Sequence, residues 1–202
     1  TGLRPWEDTC SSPCYNMMNA VYDKLTEQYA DGSYGPMLAK SWESNDDYTV
    51  FTVQLQEGVT FTDGTPLTAQ HIADMFVVQQ TGAASAGVIA SSNLISVEAT
   101  GDLEVTYTLS ATNGPFMAVL SRAPLGMVFN AALVPAGDED AMAAAANAPT
   151  GIGTGPFMVT NRDVDNRTDM ERNPNYWMSD NFGTQLPYLD SISFHPIPDE
   201  GT

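Results

Sequence analysis

Thr49-Val50-Phe51-Thr52-Val53-Gln54-Leu55-Gln56 leads into Gly58-Val59-Thr60-Phe61-Thr62-Asp63-Gly64-Thr65-Pro66-Leu67-Thr68-Ala69. Phe51, Val53 and Leu55 recur at period two, so they share one face of a strand that starts after the break at Asp46-Asp47. Asp63-Gly64-Thr65-Pro66 carries two independent turn signals. Thr68 then has the side chain of an N-cap. The helix it opens presents Ile72, Met75, Phe76 and Gln79 as one buried stripe. Gly58 and Gly64 supply the bends that return Val59 and Phe61 to the sheet.

Upstream, Tyr15, Met18, Tyr22, Leu25 and Tyr29 are spaced as one helix face, and Asp31-Gly32 stops it. Trp42 is expected to anchor the start of the Thr49 strand on the core. Downstream, Thr81 to Ser92 is rich in Gly, Ala and Ser and reads as a surface loop. Ile95, Val97, Ala99 and then Leu103, Val105, Tyr107, Leu109 alternate around Thr100-Gly101-Asp102, which is a β-hairpin pattern. Gly114-Pro115 opens a short helix through Leu120. Asp138-Glu139-Asp140 places acids at the N-terminus of a helix over Ala141 to Ala146, where the dipole favours them. Strands recur at Phe157 to Thr160, Arg167 to Arg172 and Ser191 to Ile197. The order of elements is that of a mixed α/β or α+β fold, not a repeated βαβ unit. No internal repeat is present.

The 202 residues carry 25 Asp+Glu against 7 Lys+Arg, a formal charge of -18. That balance excludes nucleic-acid binding through a basic footprint and attraction to an anionic membrane surface. Hydrophobic residues are 43% of the chain, enough for a core and too many for disorder by composition. The longest apolar stretch, Phe116 to Val134, is broken by Arg122, Pro124 and Asn130, so it is not a membrane span. The first six residues lack the apolar centre of a signal peptide, which fits either a cytosolic protein or a chain that starts after a removed leader.

Cys10-Ser11-Ser12-Pro13-Cys14 is C-x3-C, not a redox C-x-x-C. Two readings stay open: a local disulfide in an oxidising compartment, or two small buried thiols beside a helix start. Only His71 and His195 could join the cysteines at a metal, and neither has ligand spacing, so no metal site and no cofactor is expected. Ala83-Ala84-Ser85-Ala86-Gly87 is the nearest approach to a nucleophile elbow, but no strand precedes it and the first Gly is missing. Gly153-Thr154-Gly155-Pro156 reads as a tight turn entering a strand rather than a phosphate loop. Asp163-Val164-Asp165-Asn166 lacks the Gly of a calcium loop and reads as a hairpin tip. No carboxylate pair stands in an acid/base frame. Trp6, Tyr15, Met17 and Met18 flank the cysteines. They are read as core packing, with some of them set against a ligand surface as the sharper alternative.

Five groups of residues then converge in order. They are Val21-Tyr22-Asp23-Lys24-Leu25 with Ala30-Asp31-Gly32-Ser33-Tyr34-Gly35-Pro36-Met37-Leu38-Ala39-Lys40-Ser41-Trp42-Glu43, and Gly58 to Ala69. Ile152-Gly153-Thr154-Gly155-Pro156-Phe157 and Glu171-Arg172-Asn173-Pro174-Asn175-Tyr176-Trp177 follow. Pro187-Tyr188-Leu189-Asp190-Ser191-Ile192 comes last, with Ile197-Pro198-Asp199. Over nearly the whole chain this resembles the family 5 solute-binding proteins of ABC importers, which bind dipeptides, oligopeptides or nickel chelates. The motifs themselves have folding roles: Pro174 and Asn175 end a strand, and Tyr176-Trp177 pack a corner.

The resemblance implies a lobe of the periplasmic-binding-protein type II architecture, which has two lobes around a cleft. Residues 1–36 and 151–202 would form the core of the first lobe and residues 37–150 a small β-rich subdomain peculiar to the family. The family is more than twice this length, so the second lobe is expected to be absent and the chain to be a first-lobe fragment. The implied role is ligand capture for import, with no catalysis, in the periplasm or tethered outside the cytoplasm. Implied partners are a peptide or other small nutrient and, for the intact protein, the permease. Self-association through the exposed cleft face is expected of the fragment. Cys10, Tyr15, Met17 and Met127 are the expected lining of the cleft in this lobe. Three departures are visible. His71 stands where the family has an acid in the capping box with Thr68. Met127 stands near a cleft position where an arginine would suit a small anionic chelate, and the loop at Thr81 to Ser92 lacks the aromatic of the nickel binders. The rival readings are a hydrolase using Ser85 and a sensor or chaperone on the same fold.

Overall fold

The computed structural model describes residues 3–9, 12–134, 138, 140, 141, 144, 152–164 and 166–195. Among the described residues the α-helices include α1 (Ser12–Val21), α2 (Ala69–Thr81), α3 (Ala86–Ser91) and α4 (Phe116–Val119). The strands there are β1 (Thr26–Gln28), β2 (Tyr34–Pro36), β3 (Ala39–Ser44), β4 (Val50–Leu55), β5 (Leu94–Ala99), β6 (Glu104–Leu109), β7 (Phe157–Asp163), β8 (Arg167–Arg172) and β9 (Ser191–Phe194). They form a two-stranded ladder β1-β2, a four-stranded sheet in the order β3-β4-β6-β5, and a three-stranded sheet β7-β8-β9. Every ladder among the described strands is antiparallel.

The four-stranded sheet forms where the alternation predicts it. Phe51, Val53 and Leu55 are buried on one face of β4, opposite Tyr107 and Val105 of β6. Each such side chain contributes roughly 1.5–3 kcal/mol of burial. Phe116 of α4 closes this face, its ring 5.2 Å from Phe51 and 5.6 Å from Tyr107. Trp42 of β3 is half-buried at the sheet edge, opposite Val53. α2 packs on β5 through Ile72, Met75, Phe76 and Gln79, all buried as the stripe predicts. The turn before it has Gly64 at φ +88° and the Thr65 N–H donating to Asp63 Oδ1 at 2.9 Å. His71 keeps the helix start satisfied, because its Nδ1 accepts the Thr68 N–H at 3.2 Å and lies 2.8 Å from Thr68 Oγ1. An imidazole nitrogen thus takes the place of the missing carboxylate.

Three expectations fail for identifiable reasons. The helix predicted through Tyr29 ends at Val21. The Val21 carbonyl accepts the Gly155 N–H at 3.0 Å and the Leu25 N–H donates to the Gly126 carbonyl at 2.9 Å, so the two groups that would continue the helix are claimed by other segments. Tyr22 and Leu25 are buried nonetheless, and residues 26–28 form β1. The segment Thr81 to Ser92 is not a loop throughout, since it contains α3, and Ser85 within it is fully buried. Ile95 does not share the face of Val97. A register shift between Leu94 and Ser96 turns Leu94 inward and leaves Ile95 56% exposed. Most of the Asp138 to Ala146 segment lies outside the described residues, though Asp138 Oδ1 accepts the Ala141 N–H at 2.9 Å.

Gly153-Thr154-Gly155 is a close-approach turn rather than a binding loop. A Cβ on Gly153 would stand 2.0 Å from the Val21 carbonyl oxygen, and one on Gly155 would stand 2.5 Å from it. Only glycine lets this turn reach the end of α1 before β7 begins. Gly155→Ala is therefore expected to lower stability by about 1–3 kcal/mol through overpacking against rigid backbone. Gly87→Ala in α3, where a Cβ meets nothing within 4 Å, is expected to be neutral or to stabilise by up to about 1 kcal/mol. Urea unfolding midpoints of the two variants check both signs.

Candidate functional site

A cleft of about 550 Å³ is lined by Tyr15, Asn19, Lys24, Gln28, Ser121, Arg122, Ala123 and Met127. Its size falls in the range of small-molecule sites. Tyr15 and Asn19 are four residues apart on α1, so they present one helix face. Lys24 and Met127 are brought side by side by an isolated antiparallel bridge. Gln28 ends β1. Ser121 to Ala123 belong to a tight loop in which the Gly126 N–H donates to the Arg122 carbonyl at 2.7 Å. A Cβ on Gly126 would lie 2.1 Å from the Leu120 carbonyl oxygen, so the loop closes only on glycine. Buried Gln79 of α2 fixes the far side of that loop by donating to the carbonyls of Pro124 (3.0 Å) and Leu125 (3.3 Å).

The polar groups in the cleft are arranged rather than scattered. Arg122 donates to Gln28 Oε1 at 2.6 Å, and Gln28 Nε2 donates to the Tyr34 hydroxyl at 3.1 Å. Among the described residues no Asp or Glu lines the cleft. Behind Lys24 lies Asp23, 1% exposed. Tyr176 donates to its Oδ1 at 3.0 Å and Trp177 Nε1 to its Oδ2 at 2.8 Å. Burial lifts the Asp23 carboxyl to about 6, with Trp177 and Tyr176 as the main groups pulling it back and the charge of Lys24 a smaller one. Thr154 adds to that pull from outside hydrogen-bonding geometry, since its buried hydroxyl meets no partner. Tyr176 and Trp177 reach Asp23 because Asn173 ties their turn to Gly155, donating from Nδ2 to the Gly155 carbonyl at 3.0 Å.

Of the residues expected to face a ligand, Tyr15 and Met127 are brought together in the cleft. Tyr15 is 36% exposed, whereas Met127 shows only 1% of its surface. Met17 is half-buried against the core on another side of α1. Cys10 lies outside the described residues. Cys14 is buried and disulfide-bonded, and the chain contains one other cysteine, Cys10. Trp6 and Met18 are core residues, Trp6 stacking on Phe129 with ring centres 4.2 Å apart. The Ser85 hydroxyl donates to the Gln79 carbonyl, with the Trp6 carbonyl 3.1 Å away. His71 caps α2, and His195 is exposed beyond β9. Among the described residues no group of His, Cys, Asp and Glu could hold a metal ion, and no helix is long and apolar enough to cross a membrane.

Lys24, Arg122, Asn19 and Gln28 are absent from the cleft lining expected from sequence. Arg122 had a signal: it is the one charge inside the apolar run from Phe116 to Val134. An arginine thus lines this cleft, five residues before Met127. Asn19 and Gln28 had no signal, because only the fold brings their segments together.

A family model described as "Bacterial extracellular solute-binding proteins, family 5 Middle" matches residues 33–202. A nickel-binding periplasmic protein of Escherichia coli K12 is 31% identical over 90% of this chain and 33% of its own length. A glutathione-binding protein of the same strain is 29% identical over 93% of this chain and 36% of its own. Among solved structures, the oligopeptide-binding protein AppA of Bacillus subtilis, in complex with a nonapeptide, superposes with a TM-score of 0.81. It is 26% identical, with 98% of this chain and 38% of that one covered. The chain thus spans about a third of the length of the curated relatives it matches.

The carboxyl behind Lys24 gives the site a pH signature. Folded, Asp23 keeps its proton up to about pH 6, while in the unfolded chain it loses the proton near 3.8. Between those values the unfolded state binds fewer protons, so stability falls as pH rises and levels off above about 6. At about 1.4 kcal/mol per unit, the fall is on the order of 3 kcal/mol. Asp169, held down near 2 by Ser193 and Arg167, acts in the opposite direction and below this window. The difference between wild type and Asp23→Asn, followed by urea unfolding from pH 4 to 6.5, isolates the effect. The wild type is expected to lose stability relative to the variant across that range, and parallel curves would refute the assignment.

Proposed function

Because the chain belongs to the bacterial extracellular solute-binding proteins of family 5, we propose that it supplies one wall of a cleft that captures a small solute for an ABC importer. The observation that carries this reading is the 550 Å³ cleft, built from four separate segments and lined by Tyr15 and Met127 together with Lys24, Gln28 and Arg122. A site of this kind holds its ligand with an apolar floor and a few convergent polar groups. The cargo is a peptide or a similar small nutrient, in keeping with relatives named for nickel and glutathione and a structural neighbour holding a nonapeptide. Residues 1–36 and 151–202 act as the core of this wall, and residues 37–150 as a subdomain carrying the four-stranded sheet. Capture takes place in the periplasm or at an extracytoplasmic membrane face, and the permease is the partner of the whole protein.

The reading is one of binding without catalysis. The Ser85 proton is committed to main-chain carbonyls in a buried position, which leaves the one sequence candidate for a nucleophile without access to a substrate. Tyr15 contacts the ligand, and Met127 supports the cleft floor from a buried position.

Affinity follows from how much of the ligand is enclosed. A single wall leaves one side hydrated, and half of a typical micromolar free energy of about 8 kcal/mol corresponds to a dissociation constant near millimolar. Calorimetric titration of the 202-residue chain with a nonapeptide, glutathione and a nickel–histidine chelate is expected to give millimolar binding of at least one and turnover of none. Micromolar binding by a monomer would show a complete site on this chain alone. Hydrolysis of a probe would overturn the non-catalytic reading.

A further inference from the structure

Positive charge is scarce in this chain and its placement is uneven. Seven Lys and Arg face 25 Asp and Glu. Arg4, Lys40, Arg167 and Arg172 are paired with Asp8 (3.1 Å), Glu57 (3.2 Å), Asp169 (2.6 Å) and Asp190 (3.4 Å). Arg162 is also engaged. Lys24 and Arg122 make no salt bridge among the described residues, and both line the cleft. With acids outnumbering bases more than threefold, chance would place carboxylates beside these two as well. Among the described residues the cleft instead has none.

Neither cation is paired with a carboxylate in a salt bridge among the described residues. Arg122 is held by the neutral oxygen of Gln28, which is itself fixed by Tyr34. A guanidinium has five N–H donors, so others stay available for a planar acceptor. Asp23 next to Lys24 is buried with both oxygens occupied by Tyr176 and Trp177, so it acts on Lys24 only through space. The result is a local positive field in a molecule of charge -18.

We propose that Lys24 and Arg122 receive a carboxylate of the ligand, so that this wall selects cargo bearing a carboxylate group, with Tyr15 and Met127 covering its apolar part. The proposal rests on the cleft being the ligand site. Two sources share this chemistry: the free C-terminus of a short peptide, and a small polycarboxylate such as citrate.

The test is an NMR titration of the isotope-labelled chain at constant 0.15 M ionic strength. The probes are tri-alanine, tri-alaninamide and citrate. Tri-alanine is expected to move the resonances of Lys24, Gln28 and Arg122 together with those of Tyr15 and Met127. Tri-alaninamide should bind about tenfold more weakly and leave Lys24 and Arg122 unmoved. Arg122→Gln, at an exposed side chain, should weaken tri-alanine about tenfold and change tri-alaninamide little, and Lys24→Gln should act in the same direction. Citrate shifting the two cations more strongly than tri-alanine would assign the carboxylate to an organic acid, and the reverse to a peptide. Equal binding of tri-alanine and its amide, unaffected by either substitution, would overturn the carboxylate proposal while the cleft reading stands. No shift at Tyr15, Met127, Lys24 or Arg122 with any probe would remove both.

Discussion

The end of α1 is pinned by backbone hydrogen bonds to three other segments, and the rest of the structure depends on that seam. Val21 accepts from Gly155, Asp23 accepts from Val128, Leu25 donates to Gly126, and Leu38 and Ala39 donate to Lys24 and Leu25. The Thr26 hydroxyl adds a bond to the Met117 carbonyl at 2.8 Å. A buried backbone group left unpaired costs about 1–3 kcal/mol. Residues 21–26 therefore have one conformation in which every partner is met, and that conformation is not helical. The same crossing delivers Lys24 to the cleft and sets Met127 beside it.

Burying Asp23 at this crossing works against stability, since desolvating a carboxylate costs several kcal/mol. Tyr176 and Trp177 offset part of that cost, and in doing so they fasten the segment after β8 to the end of α1. The penalty has a structural return: a single carboxylate ties residues more than 150 positions apart in sequence. The two cations of the cleft, Lys24 and Arg122, make no salt bridge among the described residues.

Much of this architecture is legible in the sequence, and the boundary of legibility is physical. Strand β4, the β5–β6 hairpin, the stripe of α2 and the β7–β8 hairpin are local patterns, decided by neighbours within a dozen residues. The glycines at 153 and 155 mark a close approach, though only the fold shows that Val21 is what they approach. Tyr22 and Leu25 fit a helical stripe because they are buried, but their burial comes from tertiary contacts that override the period. The bulge between Leu94 and Ser96 is a one-residue event that no alternation count registers. α3 hides in a Gly-, Ala- and Ser-rich segment whose order comes from the Ser85 hydroxyl and from Gly82, where a Cβ would stand 2.3 Å from the Trp6 carbonyl oxygen. The cleft is harder still. Tyr15 and Met127 could be picked as large side chains near suggestive positions, whereas Gln28 gains meaning only from its hydrogen bond to Arg122.

Native-state hydrogen exchange at Leu25, Val128 and Gly155 tests most directly whether the seam at residues 21–26 holds the fold and the cleft together. The account predicts that these three amides open only with global unfolding, with exchange free energies equal to that from urea denaturation. Exchange as fast as that of an exposed turn amide such as Gly64 would show that the seam opens locally, and would contradict it.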